Sequence, residues 1–145
     1  MSYRISVRVL GAALLSLALF ACAQPGPSQT TLSACAAPLK PAVEVDLYFG
    51  RDKPSAGQVS DAEWASFLSE TVTPQFPDGL TVLDARGQHR GPAGIVGSER
   101  TKLLIVVVFD APAHQRKVAS VVDAYKKRFG QHEVFQVERP VCAGP

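Results

Sequence analysis

Lys102-Leu103-Leu104-Ile105-Val106-Val107-Val108-Phe109, closed by Asp110, is the stretch on which the fold turns. Its seven consecutive apolar residues are mostly β-branched or aromatic and bounded by charge. That pattern reads as a strand buried on both faces rather than a helix. It is too short to span a bilayer as a helix. A strand of this kind sits in the middle of a sheet, and the neighbouring segments must supply its cover.

Upstream, Val43-Glu44-Val45-Asp46-Leu47-Tyr48-Phe49 alternates strictly and ends at Gly50. Val43, Val45, Leu47 and Phe49 share one face; Glu44, Asp46 and Tyr48 share the other. Arg51 to Gln58, with Pro54 and Gly57, reads as a loop. Ser60-Asp61-Ala62-Glu63 has the form of a capping box, with Val59 and Trp64 placed as a hydrophobic staple. Trp64, Phe67, Leu68 and Val72 then make an apolar helical stripe that Pro74 is expected to stop.

Pro77-Asp78-Gly79 is turn chemistry leading into a strand over Leu80–Arg86, continuing irregularly to Arg90. Gly91 to Gly94 begins a reversal, and the charged Ser98-Glu99-Arg100 reads as the turn before the central strand. A second helix is expected from about Ala111 to Phe129, with Val118, Val121, Val122, Tyr125 and Phe129 on one face. Lys126, Lys127 and Arg128 complement its dipole, and Gly130 suits a left-handed stop. Glu133 to Arg139 alternates as a last strand before Pro140.

The order β-α-β-β-α-β predicts an α+β, ferredoxin-like two-layer sandwich. Right-handed crossovers put both helices on one face of a four-stranded antiparallel sheet, in spatial order 4-1-3-2. First and last strands are then antiparallel neighbours. Cys35, before the first strand, and Cys142, after the last, come within reach of a disulfide in an oxidising compartment. Two free thiols, or a bond to Cys22, are the alternatives. The cysteines and the scattered His89, His114 and His132 lack metal-ligand spacing, and no cofactor is implied.

The amino-terminal end reads as an address. Arg4 and Arg8 precede an apolar run from Val9 to Phe20, the layout of a secretory signal. Leu19-Phe20-Ala21-Cys22 resembles the lipobox of bacterial lipoproteins, which implies lipidation of Cys22; ordinary cleavage around Ala21-Cys22-Ala23 is the alternative. The expected organisation is a signal peptide over 1–21, a lipid-anchored tether over 22–41, rich in Pro, Gly, Ser and Gln at its start, and a folded domain over 42–145. The expected location is a cell-envelope membrane, facing the periplasm, with the membrane as first partner.

Of the 15 basic residues, Arg4 and Arg8 fall in the leader, which leaves 13 basic against 13 acidic residues in the remainder. That balance gives no electrostatic case for nucleic acid. Gly91 to Gly97 lacks the Gly-Lys-Ser/Thr ending of a phosphate loop, and no serine stands in a Gly-x-Ser-x-Gly elbow.

Leu47-Tyr48-Phe49-Gly50-Arg51, Glu63-Trp64, the run from Phe76-Pro77-Asp78-Gly79 to Arg86-Gly87-Gln88, and Tyr125-Lys126-Lys127-Arg128-Phe129-Gly130 carry a resemblance. From Val43 to Cys142 the chain resembles the bacterial domain of unknown function 3574 family, often small exported or lipid-anchored proteins. The resemblance brings no established activity and no catalytic residues.

Two constellations remain. Helices on one side cannot cover both apolar faces of the central strand, so the opposite sheet face is expected to carry an aliphatic strip. A second copy or a protein partner can cover it; alternatively a small molecule binds there, with Tyr48, Asp46 and Glu44 as acid–base candidates. Solvated polar alternation is the bland alternative. The second constellation is Arg51, Arg86, Gln88 and Arg90, which can bind a carboxylate or phosphate or simply form structural hydrogen bonds. The leading reading is an interaction or ligand-binding module rather than an enzyme.

Overall fold

Alternation along the first strand decides which side of the sheet is covered. The computed structural model describes residues 35–90 and 94–145. In it β1 (Lys40–Gly50) turns Val45, Leu47 and Phe49 into the core, all fully buried. The expected leader, Cys22 and most of the expected tether lie outside the described residues.

After β1 come α1 (Asp61–Phe67), a π-helical turn (Leu68–Val72) and a short α2 (Thr73–Gln75). The sheet then gains β2 (Thr81–Arg90) and β3 (Val96–Val108), and α3 (His114–Phe129) leads into β4 (Phe135–Ala143). All strand pairs are antiparallel, in the order β2-β3-β1-β4. This is the expected two-layer α+β arrangement, with β3 and β1 in the middle. Leu104, Val106 and Val108 stand opposite Leu47, Val45 and Val43 and join them in the core.

Aromatic side chains lock the helical layer to the sheet. Phe49 packs 5.3 Å from Trp64 and 4.6 Å from Tyr125, centroid to centroid, in tilted and edge-on arrangements. Each such pair adds roughly 0.5–1.5 kcal/mol beyond area burial. The Tyr125 hydroxyl donates to the Gly50 carbonyl at 2.9 Å, so α3 also fixes the end of β1. The capping box forms as expected: the Glu63 amide donates to Ser60 Oγ at 3.2 Å, and the Ser60 amide donates to Glu63 Oε2 at 2.8 Å. Gly130 ends α3 with φ of 70°, in the left-handed region that favours glycine.

Several boundaries differ from the expectation. β3 starts at Val96, so Ser98-Glu99-Arg100 is strand and not turn. Cross-strand partners hold it there: Gln88 faces Ser98, Gly87 faces Glu99 and Arg86 faces Arg100. β4 runs through Pro140, which an edge strand tolerates because one of its sides is unpaired. Pro74 does not stop the first helical segment at once. The backbone widens before it, the Thr73 amide donating five residues back to Leu68, and one further turn forms. α3 begins at His114, after a turn in which the Ala113 amide donates to the Asp110 carbonyl at 2.7 Å.

Cys35 and Cys142 form the expected disulfide, with Cα atoms 5.6 Å apart. It ties the entrance of β1 to the end of β4, where Pro41 faces Cys142. The chain therefore enters the domain at one end of the sheet, while β1 ends at Gly50 about 33 Å away at strand spacing.

Candidate functional site

The sheet face turned away from the helices carries the candidate surface. Parity places Leu103, Ile105 and Val107 of β3 there, with Thr81, Leu83 and Ala85 of β2, Glu44, Asp46 and Tyr48 of β1, and Phe135, Val137 and Arg139 of β4. Among the described residues this side keeps large apolar groups in solvent: Leu83 is 47% exposed, Val107 38% and Phe135 67%. The expected aliphatic strip is present.

The cross-strand register orders this face into rows. Leu83, Leu103, Tyr48 and Phe135 stand side by side across all four strands. One row toward the Cys35–Cys142 end, Ile105 neighbours Asp46, and one further Val107 neighbours Glu44, which faces Arg139. Arg139 Nη2 donates to Asp46 Oδ2 at 3.0 Å and also to Glu44 Oε1. Two of the three acid–base candidates are thus held by one guanidinium. Asp46 is only 4% exposed, and its Oδ1 lacks a hydrogen-bond partner. A buried carboxylate oxygen without a donor is costly, and a donor arriving on this face would relieve it.

In the opposite direction the row beyond Leu83–Phe135 is small: Ala85, Thr101 and Gly50. Next come Gly87 facing Glu99, then His89 facing Gly97. The drop from large to small residues makes a basin of about 500 Å³. Tyr48 and Phe135 form one wall, their rings 5.6 Å apart and edge-to-face, and the loop Gln131-His132-Glu133 forms another. Glu99 lies over Gly50, where a β-carbon would stand 2.7 Å from its carboxyl carbon. Its Oε1 accepts from the Asp52 amide at 3.1 Å. Burial, and after it the Glu99 charge, push the neighbouring Tyr125 phenol well above its ordinary range.

A second groove of about 740 Å³ lies at the Cys35–Cys142 end of the sheet, between the Phe76–Leu80 loop, Val107 at the end of β3 with Phe109 just after it, and the carboxy-terminal residues. The Asp110–Lys117 ion pair, 2.7 Å long, closes part of its rim. Lys117 holds the Asp110 carboxyl below its usual range.

Of the acid–base candidates, Tyr48 lines the basin, whereas Asp46 and Glu44 stand beyond it under Arg139. Of the anion-binding candidates only Gln88 lines it. Arg51 is buried, its Nε donating to the Val59 carbonyl at 2.7 Å and its Nη1 lying 3.0 Å from Asp61. Arg90 Nη1 donates to the Gly94 carbonyl of its own hairpin at 3.0 Å. Arg86 is exposed opposite Arg100. Sequence reasoning missed Glu99, Thr101, His89, His132 and Phe135 as neighbours; the one local signal was Gly87, set between the polar Arg86 and Gln88. Among the described residues no group of three or more His, Cys, Asp or Glu is placed to hold a metal ion, and no helix is long and apolar enough to cross a membrane.

Comparison with known proteins adds a family and a fold. The profile of a family described as protein of unknown function (DUF3574) matches residues 44–144. No curated protein matches the chain. Among solved structures, a phage SAM lyase in complex with S-methyl-5'-thioadenosine is similar in fold, with TM-score 0.54 and 10% identity over 70% of this chain and 90% of that one. The phage SAM lyase in its apo state gives TM-score 0.49 and 13% identity over 70% and 84%.

Proposed function

Since the chain belongs to the DUF3574 family of proteins of unknown function, we propose a reading that rests on its own surface: an exported binding module, anchored by lipid on Cys22 and facing the periplasm, that self-associates over the outer sheet face. The uncovered apolar strip of Leu83, Leu103, Ile105, Val107 and Phe135 carries it. Contiguous apolar surface of this kind marks an interaction site. A four-stranded face about ten residues long covers roughly 600 Å² before side-chain relief, near the ~800 Å² per partner of a stable complex. Its polar groups suit a second copy, because Arg139 lies beside the acidic pair Glu44 and Asp46 and Asp46 keeps one oxygen unpartnered.

Light scattering of the full chain carrying Cys22→Ala, which removes the lipid site, tests self-association. The expected mass is that of a dimer, converted to a monomer by Val107→Asp at unchanged thermal midpoint. A monomer throughout the micromolar range would refute it.

An enzyme acting on a small exported metabolite is the second reading. It is favoured by the basin, where Tyr48, His89, His132 and Glu99 meet over a glycine floor. The phage lyase of similar fold is described with S-methyl-5'-thioadenosine, which makes that compound a sensible first trial here. Turnover by the monomeric Val107→Asp variant would favour this reading over self-association.

A further inference from the structure

We propose that the basin between Tyr48, Gly87 and His132 is a binding site for a small organic cation that carries a flat apolar ring. The glycine at Gly87 is the first observation. It sits inside β2, and a β-carbon there would have only Thr101 Oγ1, at 3.8 Å, as a neighbour. Its backbone lies outside the left-handed region, as does that of Gly97, where a β-carbon would meet the His89 ring at 3.4 Å, an ordinary contact. Neither conformation nor crowding therefore calls for glycine at Gly87, and glycine weakens a strand interior. What it leaves is an open floor.

The walls and charges state what the floor accepts. Phe135 is 67% exposed and held upright against Tyr48, so it offers a flat apolar face at the step down from the large row to the small one. Aromatic pairs of this type favour a further ring in an offset or edge-on position. Among the described residues, Glu99 and Glu133 are the charged residues lining the basin, and no lysine or arginine lines it. Two carboxylates without a counter-charge repel carboxylate or phosphate ligands and draw a cation to the cleft. Glu99 is fixed at this wall by the Asp52 amide, which removes the cost of ordering it on binding. The Thr101 hydroxyl and the two histidines supply the remaining hydrogen-bonding groups, while Gln131 Nε2 donates to the Asp52 carbonyl at 2.7 Å.

The test uses tryptamine and indole-3-acetate, two indoles of opposite charge, titrated by NMR into the full chain carrying Cys22→Ala. Saturable binding of tryptamine is expected, with indole-3-acetate at least about tenfold weaker, a difference of about 1.4 kcal/mol. Gly87→Leu, which fills the floor, should cut tryptamine affinity at least tenfold at unchanged thermal midpoint. Glu99→Gln should weaken tryptamine about fivefold or more and narrow its advantage over indole-3-acetate. Equal binding of the two indoles, no binding of tryptamine, or full affinity in folded Gly87→Leu would overturn the proposal. If Gly87→Leu does not fold, full affinity in Glu99→Gln overturns it instead. The scattering mass of the same samples reports self-association separately, so either idea can fail without the other.

Discussion

Removing the Cys35–Cys142 bond should cost this domain a large share of its stability. The bond closes a loop of 107 residues, nearly the whole folded chain. In the chain-entropy model a loop of that size stabilises by about 4.7 kcal/mol at 25 °C, because it shrinks the unfolded ensemble. Residual structure in the unfolded chain lowers that figure, so roughly 3–4.5 kcal/mol is expected. Against a typical total of about 5–15 kcal/mol this is decisive. The folded state should change little, since β1 and β4 stay paired over nine positions from Lys40–Ala143 to Tyr48–Phe135. The assay is urea unfolding of Cys35→Ala/Cys142→Ala followed by the fluorescence of Trp64, the single tryptophan, buried against Phe49. The midpoint should fall, and the urea dependence should steepen because the unlinked chain exposes more surface on unfolding. A loss below about 1 kcal/mol with an unchanged slope would refute the loop-closure reasoning.

Glu63 gives a pH signature. The Lys53 ammonium first, then the amide and hydroxyl of Ser60, hold its carboxyl at about 2 against an ordinary 4.5. A depressed carboxylate contributes stability that is whole above its unfolded value and lost as pH falls through its folded one. Glu63→Gln should therefore be less stable than the parent at neutral pH, and the gap in urea midpoint should close between about pH 4.5 and pH 2. A gap of constant size over that range would count against the capping box as its source. For the address, mass spectrometry of the membrane fraction should find Cys22 as an acylated mature terminus; a soluble, unmodified chain would remove the anchor.

Every strand of the sheet order is legible in the sequence, because each signal is local. Strict alternation in Val43–Phe49 names the buried side without any knowledge of partners, and the structure buries Val45, Leu47 and Phe49 on it. Ser60 and Glu63 satisfy each other within one turn, so that helix start is written in four residues. The same locality explains the misses. Ser98–Arg100 is polar and looks like a turn; only the opposing strand β2 makes it a strand. Pro140 looks like a stop until β4 proves to be an edge.

The disulfide was legible because topology alone brings the two chain ends together, whereas the candidate site was only partly so. Alternation places Tyr48 on the outer face, and the doubly apolar central strand requires that face to be apolar. Sequence spacing cannot say that Tyr48 stands beside Phe135, or that Gly87, Glu99 and His132 surround one hollow, since 37 to 87 residues separate these groups from Tyr48 or Gly50 in the chain. By itself the sequence determined the elements, their order and the uncovered apolar face, all consequences of period and local hydrogen bonding. The tertiary structure alone decided where that face steps down into a basin, because a step is a matter of cross-strand register.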